Sequence, residues 1–280
     1  MPGFQRSTST RGAGLSARWD VAHAALRYSR GVCTALGGQI VPRIGLRIAE
    51  AVRSAGSMRW LCAAQSLRSF QPAHQGKSFM KLFIKPGACS LASHIVLEET
   101  GLPYATEVVD LQTKQTASGQ DFWAINPKGY VPALQLDDGT LLTEGPAIVQ
   151  YLADQVPAKP LAPANGTLAR YQLQGWLTFI GTELHRNFGA FFNPAGTPEW
   201  KEVSRSNLQR RFAYVNDQLA GRDHLLGADF SVADAYLFTV LGWTGRIGLD
   251  LAPWPNLVAF RARVAARPAV QAVLKDEGLA

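Results

Sequence analysis

The chain has 280 residues, of which 47% are hydrophobic and 18% charged, and its formal net charge is +7. This composition is typical of a globular protein and excludes a disordered or fibrous one. No apolar run reaches the roughly 18 residues that a membrane-spanning helix needs. The sequence therefore predicts a globular protein without a membrane segment.

The positive charge is concentrated at the start of the chain. Residues 1–77 contain eleven basic and two acidic residues, a net charge of +9, whereas residues 80–280 contain 17 basic and 19 acidic ones, a net charge of −2. The part with regular patterns is mildly acidic, so the overall charge does not support binding to nucleic acid.

Residues 1–79 are left unassigned, as a disordered extension or as sequence ahead of the real start. They lack the compact apolar stretch of a secretory signal. Two interpretations remain open: an Arg-rich, acid-poor organellar presequence, or a start codon placed too far upstream. We favour the second, because Met80 opens a strand immediately and the residues before it carry few helix or strand signals.

The three cysteines are Cys33, Cys62 and Cys89, and an odd number cannot pair completely within one chain. Their spacing does not indicate a zinc site, and no metal is predicted. Free thiols favour a reducing compartment, which we take to be the cytoplasm.

Strand and helix signals alternate from Met80 to Pro157. In chain order they are a strand at 81–84, a helix from Ser90 to Thr100 closed by Gly101, a strand at 105–111, a helical turn at 121–126, a hairpin around Asp138-Gly139 and a helix from Gly145. This order predicts an α/β domain over residues 80–160 with a mixed sheet of about four strands.

Apolar residues recur at helical spacing after the proline-rich linker at 157–166, and no alternating strand pattern appears. The sequence therefore predicts an all-helical domain over residues 166–280, with helices near 199–219, 232–243 and 256–266. Ser231 and Asp234 fit a capping box at the start of the second of these helices.

Cys89 lies between a Pro-Gly turn and the first turn of a predicted helix. The unpaired N–H groups and the dipole of a helix start stabilise an anion, so we expect a lowered thiol pKa there. On position alone, a reactive thiol and a small residue that fills the turn are equally good interpretations.

Three further positions are candidates for a ligand site. A bend at Val131-Pro132 would leave backbone groups free to pair with an extended peptide. Glu144-Gly145 places a carboxylate beside helix N–H groups, a pair that suits an amino-acid zwitterion, although ordinary helix capping is the simpler interpretation. His185, in a long helix, suits acid, base or donor chemistry, or is a half-buried helical histidine.

Together these motifs resemble the glutathione transferases. The stretches "MKLFIKPGACSLASHIVLEE" and "NPKGYVPALQLDDGTLLTEGPAIVQYLAD" are similar to the bacterial beta class in particular, and the likeness runs from Met80 to the C-terminus. The resemblance implies a thioredoxin-like N-terminal domain, an all-helical C-terminal domain, and a homodimer that conjugates glutathione, its cosubstrate, to hydrophobic electrophiles.

The resemblance also implies roles for single residues. Cys89 would lie beside the glutathione sulfur and form a mixed disulfide with it, which makes a reductase or peroxidase activity a further expectation. His185 would lie near Cys89, and Val131, which precedes a cis Pro132, would pair its backbone with the cysteinyl unit of glutathione. Glu144 and Gly145 would bind the γ-glutamyl end, Lys114 would bind the glycyl end, and Thr182 would be a further glutathione contact.

The sequence departs from the family pattern in places. Ile84 stands where relatives often have a tyrosine, Arg186 replaces a common lysine, and Thr178 replaces an asparagine of some relatives. Phe188, Phe191 and Phe192 would form either a wall of the hydrophobic pocket or part of the core. The alternative to an enzyme is a noncatalytic protein of this fold that binds glutathione or a hydrophobe.

Overall fold

The computed structural model describes residues 79–280, so both interpretations of the first 78 residues lie outside the described residues. Strands and helices alternate up to Asp154, and every later element is helical. The strands are β1 (Met80–Ile84), β2 (Tyr104–Asp110), β3 (Gln115–Thr116), β4 (Ala133–Gln135) and β5 (Leu141–Thr143).

The predicted helices are present with small shifts at their ends, except that a π-helical turn interrupts the one through His185, and the last helix, Pro268–Asp276, is not predicted from the sequence. The helices are α1 (Ser90–Thr100), α2 (Phe122–Ile125), α3 (Gly145–Asp154), α4 (Leu168–Phe179), α5 (Arg186–Phe192), α6 (Pro198–Gln218), α7 (Val232–Leu241), α8 (Pro255–Ala265) and α9 (Pro268–Asp276). A π-helical turn at Ile180–His185 joins α4 to α5, and a 3-10 turn at Thr244–Ile247 follows α7.

The five strands form one mixed sheet in the order β3-β2-β1-β4-β5. β1 runs parallel to β2, and the other neighbours are antiparallel. The prediction of a mixed sheet is confirmed, but the prediction of about four strands is wrong by one. The missed strand, β3, has only two residues and exists because Thr116 pairs with Val109 of β2.

Helix α1 lies at the centre of the described structure. All its residues except Glu98 and Glu99 are buried, because it packs against α3 on the sheet side and against α7 and α9 on the helical side. It ends at Gly101, whose φ of 67° is the left-handed conformation that glycine adopts freely. The predicted bounds of this helix and its glycine cap are confirmed.

The capping box predicted at Ser231 and Asp234 is present at the start of α7. Asp234 is fully buried. Its carboxylate accepts hydrogen bonds from the Leu225 N–H at 2.8 Å, the Ser231 N–H at 2.8 Å and the Ser231 hydroxyl at 2.6 Å. One carboxylate thus joins the helix start to the loop that precedes it.

A second buried carboxylate, Glu277, connects the end of α9 to α1. It accepts hydrogen bonds from the Gly87 N–H at 2.8 Å and from His94 Nδ1 at 2.9 Å. The carbonyl of Gly87 accepts a bond from Trp243 Nε1 at 2.9 Å. Gly87 has a φ of 68°, a left-handed conformation that glycine adopts without strain.

We predict that Glu277→Ala lowers the free energy of unfolding by about 3 kcal/mol, because it leaves the Gly87 N–H and the buried His94 without their acceptor. Glu277→Gln should lose less, about 1 kcal/mol, because His94 can change tautomer and accept from the amide. Urea unfolding of the full chain measures both. Glu202→Ala, at an exposed carboxylate of α6 that makes no hydrogen bond or ion pair within residues 79–280, is the control, and an equal loss in the two alanine variants would contradict the prediction.

Candidate functional site

The Cys89 thiol lies at the N-cap of α1 and points to the neighbouring bend. Its Sγ donates to the carbonyl of Val131 at 3.1 Å, and the side chain is half-buried. The structure therefore brings together two of the predicted site residues that are 42 positions apart in the sequence.

The expectation of a lowered thiol pKa is wrong. Burial raises the pKa of Cys89 from an ordinary value near 9.0 to about 11, although the backbone N–H groups of Cys89 and Ser90 act in the opposite direction. The helix start stabilises the thiolate as predicted, but the loss of water contact costs more. The hydrogen bond to Val131 further favours the protonated thiol, because only that form can donate.

The bend at Val131-Pro132 lies next to the second candidate motif, Glu144-Gly145. The Val131-Pro132 peptide bond is cis, and both residues are buried. A Cβ on Gly145 would lie 3.7 Å from Pro132 Cγ, so the start of α3 packs directly on the bend. The Val131 N–H has no hydrogen-bond partner among residues 79–280, and it remains able to pair with a ligand.

Glu144 holds an unusual backbone conformation immediately before α3. Its φ of 70° is positive, which is uncommon outside glycine and is found often at ligand sites. Its carboxylate accepts hydrogen bonds from Lys128 Nζ at 2.6 Å and from the Tyr130 hydroxyl at 3.1 Å. The bond from Lys128 lowers the pKa of Glu144, so the carboxylate is charged at neutral pH.

The Lys114 side chain contacts the loop just before the bend. Its Nζ donates to the Gly129 carbonyl at 2.7 Å and stands 5.4 Å from the centroid of the Trp123 ring. It makes no ion pair with a carboxylate of the described residues, and the ammonium can thus still attract an anionic group.

His185 ends the π-helical turn, a form of helix that occurs frequently at functional sites. Its Nδ1 is 2.7 Å from the Tyr236 hydroxyl, and its ring lies 4.8 Å from the Trp243 ring. Burial lowers the pKa of His185, so the imidazole is neutral at pH 7. The structure thus gives His185 two specific partners, which exceeds what ordinary packing requires.

Thr182 and Arg186 line the same cavity as His185, but they are not hydrogen-bonded to the residues around the bend. Thr182 is exposed, and its hydroxyl donates at 3.0 Å to the carbonyl of Thr178 one turn earlier in its own helix. Arg186 is also exposed. Neither side chain contacts Cys89, Val131 or Glu144 through a hydrogen bond within the described part of the chain.

The predicted aromatic run divides into core and surface. Phe188 is fully buried, whereas Phe192 is 48% exposed, and the edges of both rings meet Trp243. A cavity of about 590 Å³ is lined by His185, Phe192 and Trp200 among others. Phe192 therefore suits the pocket wall, and Phe188 belongs to the core.

Sequence reasoning missed Tyr236 and Trp243 as site residues. Trp243 contacts the His185 ring and donates its Nε1–H to Gly87, two residues before Cys89. Tyr236 lies in α7, whereas Trp243 follows the end of that helix at Leu241. Both contact His185 from far along the chain, so no local pattern signals them.

No helix within residues 79–280 is both long and apolar enough to cross a bilayer. The same residues contain no cluster of three or more His, Cys, Asp or Glu side chains that would hold a metal ion.

Two family models match the chain, the glutathione S-transferase N-terminal domain at residues 87–155 and the C-terminal domain at residues 179–268. Glutathione S-transferase GstA of Escherichia coli O157:H7 is 50% identical over 200 residues, which cover 71% of this chain and 100% of that protein. The chain belongs to the glutathione S-transferase family.

Solved structures of glutathione S-transferases agree with this assignment. A bacterial beta class enzyme from Sphingomonas chungbukensis is 48% identical, with a TM-score of 0.70, and covers 71% of this chain and 100% of its own. A sphingomonad glutathione S-transferase complexed with glutathione is 51% identical, with a TM-score of 0.69 and the same coverage. The predicted fold, a thioredoxin-like domain followed by a helical domain, and the resemblance to the beta class are confirmed.

Proposed function

We propose that this glutathione S-transferase joins reduced glutathione to hydrophobic electrophiles. Residues 80–160 would bind glutathione, and residues 166–280 would supply most of the pocket for the second substrate. The observation that carries the proposal is the meeting of Cys89, the free N–H of Val131 and the charged Glu144 around one bend. A related sphingomonad enzyme was solved with glutathione bound.

Each end of glutathione has a partner of matching chemistry in this arrangement. Glu144 and the N–H of Gly145 suit the ammonium and carboxylate of the γ-glutamyl end. Val131 suits the backbone of the cysteinyl unit, with Pro132 holding the bend. Lys114 suits the carboxylate of the glycyl end. Thr182 lines the same cavity as His185 and remains a proposed contact of glutathione.

The reaction needs a glutathione thiolate beside an electrophilic carbon. The thiol proton leaves to water, the sulfur forms a bond to carbon, and the displaced group departs with its electron pair. The helix start at Cys89 and the His185 side chain would stabilise the negative sulfur.

The test is the rate of conjugation of glutathione to a generic aryl halide, measured with the full chain and with Glu144→Gln. We expect conjugation by the unchanged protein and a KM for glutathione about tenfold higher in the variant, because a charged hydrogen bond to the ammonium is lost. Asp137→Asn removes an exposed charge from the nearby hairpin, and it should leave KM within about twofold of the starting value. Absence of both conjugation and glutathione binding would refute the proposal.

Thiol-disulfide reduction or peroxidase chemistry through Cys89 is a second candidate. It is favoured by the position of the thiol at a helix start, where a mixed disulfide with glutathione would form. It is disfavoured by the raised pKa of Cys89, because the thiolate is the attacking species. We therefore propose that Cys89 acts mainly by holding and orienting glutathione.

We further propose that the protein works as a homodimer in the cytoplasm, and without a metal. Sedimentation of the purified full chain would test the dimer, and cell fractionation would test the compartment. A monomer that conjugates glutathione at full rate would refute the proposed homodimer.

A further inference from the structure

The imidazole of His185 is held by two aromatic side chains of the second half of the chain. The Tyr236 hydroxyl lies 2.7 Å from Nδ1, and the two rings meet edge to face at 5.9 Å. Trp243 contacts the ring at 4.8 Å. These contacts direct Nδ1 of His185 toward the protein interior.

The direction of the Tyr236 hydrogen bond follows from what else the hydroxyl contacts. Tyr236 is only 5% exposed, and of the residues from 79 to 280 only His185 forms a hydrogen bond with its hydroxyl. If Nδ1–H were the donor, the phenolic O–H would be buried without an acceptor, which is costly. The hydroxyl therefore donates to Nδ1, and the proton of the neutral ring lies on Nε2.

The Nε2–H remains free to donate to a ligand, and Trp243 connects His185 to the loop that carries Cys89. The indole that packs on His185 also donates to the Gly87 carbonyl at 2.9 Å, so one side chain separates His185 from the loop that presents Cys89. Burial raises the pKa of Tyr236, and the proximity of Cys89 and of the charged Glu144 adds to that effect. No described residue accepts a hydrogen bond from Nε2.

We propose that Tyr236 is a positioning residue of the transferase site, which holds His185 as the Nε2–H tautomer so that the ring donates a hydrogen bond to the glutathione thiolate. The proposal rests on the proposed function, since it assumes glutathione beside Cys89. In this role His185 keeps its proton throughout, and the proton of the glutathione thiol goes to water. Tyr236 thus acts on the site indirectly, through His185. This chain has Ile84 at the position where relatives often have a tyrosine, so Tyr236 is a hydroxyl that the site obtains from the helical domain.

The test uses ¹⁵N-histidine NMR on the full chain, which contains five histidines. His185→Gln identifies the resonance by its loss. We expect the ligand-free protein to show His185 as the Nε2–H tautomer, and Tyr236→Phe to give a mixture of both tautomers. An Nδ1–H tautomer in the unchanged protein, or no change in Tyr236→Phe, would overturn the proposal.

Steady-state kinetics provide a second measurement. A purely structural role of Tyr236 would not lower kcat while leaving KM for glutathione nearly unchanged. Tyr236→Phe should lower kcat for aryl halide conjugation about tenfold, which corresponds to the loss of one hydrogen bond. KM for glutathione should stay within about twofold of its starting value. Thr239→Val is the control, because it removes a buried hydroxyl one turn later in α7 that bonds only to its own helix at Ala235. A similar loss of kcat in both variants would overturn the role.

The two measurements separate this inference from the proposed function. Failure of the unchanged protein to conjugate glutathione refutes the function, whereas the NMR experiment on ligand-free protein still decides whether Tyr236 sets the tautomer of His185. Conjugation together with the wrong tautomer refutes only the inference.

Discussion

Asp234→Ala is expected to lower the free energy of unfolding by about 3–5 kcal/mol, a large part of the stability of an ordinary domain. The carboxylate is fully buried and accepts three hydrogen bonds, from the Leu225 N–H and from the N–H and hydroxyl of Ser231. Alanine leaves those donors buried without an acceptor, and it also uncaps α7. Urea unfolding of the full chain followed by tryptophan fluorescence measures the loss.

Two further variants make this prediction specific. Ser231→Ala keeps the carboxylate and its bond to Leu225, so it should cost only about 1 kcal/mol. Asp229→Ala removes an exposed carboxylate two residues before the capping box, and it should change stability by less than about 0.5 kcal/mol. A loss below about 1 kcal/mol for Asp234→Ala would show that the capping box does not hold the loop to the helix.

The Cys89 thiol is expected to react with iodoacetamide at pH 8 about 100-fold more slowly than a free cysteine. Its pKa of about 11 is raised from an ordinary value near 9.0, and the rate follows the fraction of thiolate. The thiol stays protonated until the pH exceeds the raised pKa, so the rate should keep rising through pH 10. Peptide mapping by mass spectrometry distinguishes Cys89 from Cys33 and Cys62.

The same pKa decides between the two candidate roles of Cys89. Cys89→Ser should keep aryl halide conjugation within about threefold, because a protonated thiol is not the attacking group. A small-molecule cysteine derivative alkylated under the same conditions provides the reference rate. A reaction that reaches its plateau below pH 8 would mean that the helix start outweighs burial, and would restore Cys89 as a redox nucleophile.

Local signals explain which parts of the fold the sequence predicted. The start of α1 after a Pro-Gly turn and its end at Gly101 depend on residues within one helical turn, and both bounds agree with the structure. Strand β3 depends on pairing between Thr116 and Val109. Its two residues carry no pattern of their own, so a prediction from periodicity could not find it.

For the candidate site, the sequence indicates which motifs to compare better than it indicates their chemistry. The structure places Cys89, Val131 and Glu144 around one bend, and their roles in binding glutathione stay a prediction. The sign of the Cys89 pKa shift was wrong because the helix start is visible in the sequence, whereas burial is a property of the packed structure. The pairing of His185 with Tyr236 spans 51 positions, and no local pattern records it.

The Glu277 contacts have a consequence for protein synthesis. Gly87 and His94 precede Glu277 by 190 and 183 positions, so at about 5–20 residues per second they leave the ribosome roughly 10 to 40 s earlier. Until Glu277 emerges, the Cys89 loop has no acceptor for the Gly87 N–H, and the interior of α1 contains an unpaired histidine. A nascent chain can therefore build its sheet early, but the loop that carries Cys89 reaches its final form only after Glu277 has emerged.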